Sequence, residues 1–293
     1  MSDYTLSDLQ HGKAEVRLVK VDRSDDVHVL HDLNVTTQLR GDFTTAYTEG
    51  DNSHVHATDT QKNSVYALAR EHGVTSPEAF LLVLADHWSA QPWVTGTWFA
   101  AESYAWERLP ANGHSFVRAA QETRTAWLQS YGDERFVLGG LTDLVVLKST
   151  GSEFHGFPRD RFTTLAGTDD RILATSVTAT WRYASTEVDW DTAYATVRAA
   201  MTGAFAATHS LALQQTIHAM ASAALDACPE VVEIRIACPN KHHFLVDLAP
   251  FGLDNPGEVF FAADRPYGLI SATLTRDGVA AEPRAWAGVG AHA

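Results

Sequence analysis

The sequence predicts an α+β fold in which antiparallel sheets carry helices on one face. Three observations predict it. Apolar residues make up 45% of the 293 residues and charged residues 20%, the composition of a globular protein able to bury a large core. Strand-like alternation appears near the start and the end of each half. Between those strands, each half carries two stretches with the 3.6-residue period of amphipathic helices. The length suggests two domains, placed at 1–140 and 141–293. Each reads strand, strand, helix, helix, strand, strand, without a residue-level repeat.

The first element is residues 13–21, joined to a second strand through the polar turn Arg23-Ser24-Asp25-Asp26. In that second strand Val27, Val29, Leu33, Val35 and Leu39 share one parity and polar residues the other, so one face is expected to be buried. Val65, Tyr66 and Ala69 begin a helical stripe that Gly73 ends. Ser76-Pro77 is a strong helix start, serine capping and proline taking the first helical position. Phe80, Leu81, Leu84, His87 and Trp88 then fall on one helical face. Residues 93–104 and 115–129 return to strand character around the loop Pro110-Ala111-Asn112-Gly113. A linker is expected at 138–142, where Gly139-Gly140 lies. In the second half, 144–148 and 172–183 read as strands. Tyr194, Val197, Met201 and Phe205 mark a helix capped by Asp189. Leu213, Ile217, Met220, Ala224 and Leu225 mark another capped by Ser210. Strands at 231–237 and 244–248 close the half.

Composition narrows the function. The chain has 22 basic and 36 acidic residues, a net charge of −14, and no basic patch, which argues against nucleic acid as a partner. Two cysteines, Cys228 and Cys238, are too few for a disulfide scaffold and suit a reducing cytosol. The longest apolar run, 79–85, is far short of a membrane span. Neither a basic, apolar leader at the N-terminus nor a peroxisomal address at Gly290-Ala291-His292-Ala293 is visible. A cytoplasmic protein without a membrane partner is therefore expected.

No generic catalytic motif is present: no Gly-x-Gly-x-x-Gly, phosphate loop, His-Glu-x-x-His or Gly-x-Ser-x-Gly. His54 and His56 have the spacing to offer two ligands from one strand face. His209 and His218 read as structural. Three polar clusters interrupt the apolar pattern. In residues 57–63, Thr58 or Asp59 either caps a helix or places a hydroxyl and a carboxylate at an anion-holding helix N-terminus. Residues 147–160 mix rings, cations and glycine, as a wall that stacks a flat ligand would, and as an ordinary long loop would. Cys238-Pro239-Asn240-Lys241-His242-His243 is a hairpin-like connection, either a solvated turn or a site, with Asn240 and His242 sharing parity.

Together the clusters resemble the urate oxidase (uricase) family, in its bacterial form, from about Gly12 to Gly268. The matching pieces are Gly12-Lys13, Asp51-Asn52 through Thr58-Asp59-Thr60-x-Lys62-Asn63, and Leu147-Lys148-Ser149-Thr150-Gly151-Ser152-Glu153-Phe154. They continue as Gly156-Phe157-x-Arg159-Asp160, Asp170-Arg171-Ile172-Leu173-Ala174-Thr175, Leu213-Gln214-x-Thr216 and Pro239-Asn240-Lys241-His242-His243-Phe244. Their number and order make the resemblance specific. It implies tandem tunnelling-fold (T-fold) domains, each a four-stranded antiparallel sheet with two helices on one face. It also implies a homotetramer with active sites at subunit interfaces, and oxidation of urate by dioxygen with no cofactor and no metal, giving 5-hydroxyisourate and hydrogen peroxide. By position, Phe154 would stack on urate, Arg171 and Gln214 would grip it, Leu213 would offer a main-chain contact, and Asn240 would lie over the ring. Thr58 and Asp59 would come from the neighbouring chain. Lys13, Thr58 and His242 would be catalytic.

These side chains suit a flat, oxygen-rich anion. A guanidinium is a planar fork of donors, and a primary amide offers one donor and one acceptor. A phenyl ring stacks on the heterocycle. Threonine alone is a poor base, so Lys13 would have to shed its proton to draw one through Thr58, with His242 extending the relay. Two other readings share the fold or the pocket: a T-fold cyclohydrolase, which would need zinc ligands, and a urate or purine binder that does not turn over.

Overall fold

The computed structural model describes residues 4–263 and 265–290. Part of each terminal stretch read for address signals, 1–3 and 291–293, lies outside the described residues. The described chain forms two compact units. The first takes in the chain up to Gly140 together with Trp181–Ala193 and Ala280–Val289; the second takes in Leu141–Thr180 and Tyr194–Val279.

In the first unit, β1 (Gln10–Asp22) pairs antiparallel with β2 (Val29–Gly41) through the expected polar turn. Parity puts Leu33, Val35 and Leu39 in the core. Val27 and Val29 are exceptions at the hairpin end of the row, 54% and 49% exposed. A short helix not foreseen from sequence, α1 (Thr44–Thr48), precedes α2 (Thr58–His72) and α3 (Pro77–Ser89). α2 packs on β1; α3 packs on β3 (Val94–Ser103) and β6 (Thr123–Tyr131). Gly73 ends α2 at φ 79°, a conformation that costs glycine little. Ser76 caps α3 as expected, its Oγ accepting the Ala79 N–H at 3.1 Å. Phe80, Leu81, Leu84 and Trp88 are buried, but His87 is exposed, with its ring edge-on to Trp88.

The run expected at 115–129 is two elements. Ala120 takes a left-handed φ of 55°, which breaks it. Before the break β5 (Phe116–Arg118) joins β4 (Trp106–Arg108) in a separate ribbon, and after it β6 joins the main sheet. The linker expected at 138–142 is the interior of a strand, β7 (Glu134–Lys148). Gly139 is there for close packing: a Cβ would lie 2.8 Å from Trp181 Nε1 and 2.8 Å from the Tyr183 hydroxyl. The sheet order in this unit is β1-β2-β3-β6 and then the first residues of β7.

The second unit orders the later residues of β7, then β8 (Leu173–Tyr183), β9 (Val231–Asn240) and β12 (Gly268–Thr275). Its helices are α4 (Trp190–Ala207) and α5 (Leu213–Ala227), and α5 packs on β9 and β12. Asp189 Oδ1 accepts the Thr192 N–H at 3.2 Å, as a cap should. Ser210 does not cap α5. Its hydroxyl is engaged with Thr216 Oγ1 at 2.7 Å, and Ala212 occupies the cap position. The chain after β9 also departs from expectation. Instead of folding back, β10 (His243–Leu245) pairs with β11 (Phe260–Ala262) in its own ribbon. The partner of β9 is β12, which the sequence reading did not foresee. Both units are thus antiparallel sheets with two main helices, an α+β fold. Cys228 and Cys238 are buried free thiols. Among the described residues, no helix is long and apolar enough to cross a membrane.

Candidate active site

The second unit gathers six of the residues singled out from sequence. Phe154, Arg171, Leu213, Gln214, Asn240 and His242 line one cavity of about 160 Å³, with Leu165 and Ile270. Each arrives by a different route. Phe154 is fixed by a two-way backbone bridge to Thr168, with N···O distances of 2.9 and 3.0 Å. Its ring stacks on Phe157 at 4.9 Å, and the Arg171 guanidinium sits over it at 5.1 Å. Arg171 immediately precedes the segment that enters β8, and its Nε donates to Ser152 Oγ at 3.4 Å. Burial pushes the Arg171 pKa down from its ordinary value, yet a guanidinium so far above neutrality stays charged. Leu213 and Gln214 open α5: Leu213 is buried, Gln214 exposed to the cavity. Asn240 ends β9, opposite Gly268 of β12, and is 9% exposed. The Lys241 N–H donates to the Ala174 carbonyl at 2.8 Å, which fixes the chain between Asn240 and His242. The His242 ring stacks on Phe244 at 5.9 Å.

The cavity is therefore an aromatic wall, a planar cation, an amide on each of two elements and an imidazole. Such a set holds a flat anion by its face and edges. Leu165 and Ile270 were missed. Leu165 lies in an irregular segment without periodicity, and Ile270 in the unforeseen β12.

Lys13, Thr58 and Asp59 lie in the first unit. Lys13 stands beside a bulge where β1 and β2 lose register between Lys13 and Val16, and Glu15 takes φ 56° there. Bulges of this kind re-aim neighbouring side chains. Gly12 is required for the approach of the two strands, since a Cβ would lie 1.7 Å from the Thr37 carbonyl oxygen. Thr58 and Asp59 open α2, but neither caps it; Ala57 holds the cap position. The Asp59 carboxylate instead accepts from Lys62 Nζ at 2.5 Å and Asn63 Nδ2 at 3.0 Å. The Lys62 contact, with a smaller contribution from the charge of Lys13, holds its pKa below the ordinary carboxylate value. The Thr60 and Gln61 N–H groups donate to the Ala57 carbonyl at 2.9 and 3.3 Å, which leaves the Thr58 hydroxyl and the Thr58 and Asp59 N–H groups for another partner. His54 and His56 do not face a common ligand from a strand. Both rings stack on Trp93, at 5.3 and 5.4 Å.

A larger cavity, about 930 Å³, lies in the first unit and contains none of the predicted residues. Its arginine, Arg40, is already committed to the Thr97 carbonyl and Gln129 Oε1, both at 2.9 Å. Chemistry favours the smaller, second-unit cavity.

The family model described as Uricase matches residues 9–129 and 137–271. The chain belongs to the uricase family. Uricase from Arthrobacter globiformis is 57% identical over 281 residues, 96% of this chain and 93% of that protein. Uricase from Dictyostelium discoideum is 35% identical, over 93% of this chain and 98% of that one. The crystal structure of the Arthrobacter globiformis uricase superimposes with a TM-score of 0.95 at 56% identity, covering 98% of this chain and all of that one. A Bacillus sp. TB-90 urate oxidase structure, 24% identical with a TM-score of 0.80 over 92% of this chain, shares the fold. The chain is accordingly a urate oxidase, and its sheets and helices are the tandem T-fold arrangement of uricases.

Proposed function

We propose that this uricase oxidises urate with dioxygen and water, without a cofactor or metal, to 5-hydroxyisourate and hydrogen peroxide. The observation that carries the reading is the convergence of Phe154, Arg171, Leu213, Gln214, Asn240 and His242 on one 160 Å³ cavity. Phe154 stacks on the urate ring. Arg171 and Gln214 take two adjacent edges, and the Leu213 main chain a further one. Asn240 and Thr58 hold dioxygen, and afterwards water, above the ring.

Lys13, having lost its proton, takes one from Thr58, which takes one from urate or water; His242 extends the path. The resulting urate dianion passes two electrons to dioxygen through a hydroperoxide. Water then displaces peroxide, so one dioxygen becomes one hydrogen peroxide and the new hydroxyl oxygen comes from water.

Lys13, Thr58 and Asp59 act from the neighbouring chain of a homotetramer, completing each cavity at an interface. Exposed apolar side chains support assembly: Phe244, Leu245 and Phe261 of the β10–β11 ribbon are 53%, 54% and 61% exposed, surface that a monomer rarely leaves open. The enzyme works in the cytoplasm, in keeping with its free thiols.

The test is oxygen uptake with urate by chelator-treated protein, following urate absorbance and peroxide together. Equimolar loss of urate and dioxygen with peroxide appearing is expected. Activity that vanishes on chelation and returns with metal overturns the cofactor-free reading. Sedimentation as a folded monomer with full turnover overturns the shared site.

A further inference from the structure

Glu153 and His155 flank Phe154 in a segment held extended by its bridge to Thr168. Alternate side chains of an extended chain point to opposite faces, so these two share the face away from the Phe154 ring. There the Glu153 carboxylate meets two imidazoles. His155 Nε2 lies 2.9 Å from Oε2 and His209 Nε2 lies 2.5 Å from Oε1. Asp169, next to the bridge partner Thr168, brings Oδ1 to 3.9 Å from His155 Nε2. Ligand atoms of Glu153, His155 and Asp169 all lie within 4.8 Å of one another.

The backbones that carry these groups are already tied together. The Glu153 N–H donates to the Ser210 carbonyl at 2.7 Å, and the Ser210 N–H to the Gly151 carbonyl at 2.9 Å. The donors therefore come together without rearrangement of the main chain. All are reachable from solvent: side-chain exposure is 53% for His155, 58% for His209, 97% for Asp169 and 21% for Glu153.

Two imidazoles with two carboxylates are the donor set of a borderline divalent transition ion rather than of calcium or magnesium. Around tetrahedral zinc, with bonds of about 2.0–2.2 Å, donor atoms sit roughly 3.3–3.5 Å apart. The 2.9 and 3.9 Å separations here lie on either side of that spacing, and His209, outside that group of three, reaches the same Glu153 carboxylate through Oε1. We propose that Glu153, His155, Asp169 and His209 bind one zinc-class divalent ion. Each Nε2 that now shares a hydrogen with Glu153 would present its lone pair to the ion, its hydrogen moving to Nδ1; a protonated ring would release its proton to solvent. The ion would clamp the long segment after β7 to the turn before α5. It takes no part in urate oxidation, and the proposal stands independently of the assignment of roles in the cavity.

The experiment is calorimetric titration of tag-free, chelator-stripped protein with zinc ion, repeated with cobalt(II) while its visible absorption is recorded. One ion per chain is expected, with cobalt bands of four-coordinate strength and a rise in unfolding temperature on zinc addition. His155→Ala and His209→Ala should each weaken zinc binding at least tenfold and abolish the thermal shift, and His72→Ala should do neither. Glu153→Gln, which keeps the side chain's size, should weaken it similarly. A dissociation constant weaker than about 100 µM for the unmodified protein overturns the proposal, as does unmodified affinity in either histidine variant.

Discussion

The two halves of the chain run the same course and use one position in opposite ways. Each has two strands, two main helices and two strands, with a small ribbon inserted between the last two: β4–β5 after β3, and β10–β11 after β9. The second main helix opens with Pro77-Glu78 in one half and Leu213-Gln214 in the other. Glu78 is fully buried and paired at 2.7 Å with Arg124, which also reaches Asp191 at 2.6 Å. Gln214 is exposed and lines the candidate cavity. The connection before the second strand differs as well. It is a short turn in the first half; in the second it is the long segment 149–172, which supplies Phe154, Leu165 and Arg171. A helix start thus becomes a structural ion-pair site or part of a candidate cavity according to what is folded over it.

The sharpest way to break this comparison is to remove the arginine from each side. Arg171→Ala should lower kcat/KM for urate at least about 100-fold, roughly 3 kcal/mol, with little change in unfolding free energy. Arg124→Ala leaves Glu78 buried without its partner and should cost about 3 kcal/mol of stability by denaturant titration. KM of the remaining folded enzyme should be unchanged. Equal KM effects from both would mean the halves are not used differently.

Next in size is Gly139→Ala, which places a methyl against Trp181 and Tyr183 and should cost about 1–3 kcal/mol by overpacking, read as a lower denaturation midpoint. Phe154→Ala should raise KM about tenfold, near 1.4 kcal/mol, through lost stacking. The two helix starts of the first half give a finer contrast. Ser76→Ala should cost about 1 kcal/mol of stability by removing a true cap, and leave turnover unchanged. Thr58→Ala should do the reverse, since its side chain caps nothing.

The smallest effect concerns pH. Burial depresses the pKa of His11 and of His56 in the folded state. The unfolded chain therefore binds more protons below the ordinary histidine value, near 6.5, so stability is present above it and declines as pH falls toward the depressed values. Unfolding titrations at pH 7.5 and 5.5 should show this decline, and His11→Gln should reduce it. An equal decline in the variant would remove His11 from the account.

Much of the fold was legible in local pattern. Parity marked Leu33, Val35 and Leu39, and Ser76-Pro77 marked the start of α3, because burial and capping act over a few residues. What escaped depended on remote partners. Gly139-Gly140 resembles a linker until Trp181 and Tyr183 are seen lying against Gly139. β12 was hidden because its partner β9 lies beyond the whole β10–β11 ribbon. Asp59 looked like a cap, yet Lys62 and Asn63, both within one turn, outcompete the backbone for its carboxylate. The cavity residues were legible only through the family resemblance. Nothing in spacing alone joins Phe154, Arg171, Gln214 and Asn240, which meet because β8 and α5 begin, and β9 ends, at the same place. His209 read as structural, yet it shares the Glu153 carboxylate with His155.

The buried thiols have a chemical consequence. Peroxide attacks thiolate, not thiol. Burial pushes Cys228 up to about 11 and Cys238 up to about 12. At pH 7 both are therefore held in the thiol form. If, as proposed, peroxide leaves the site at each turnover, the enzyme would age through whichever side chain reacts first, and these two sulfurs are poor targets. Oxidative wear should fall instead on other groups, leaving both cysteines titratable by thiol reagents after unfolding, even in enzyme spent on its own product.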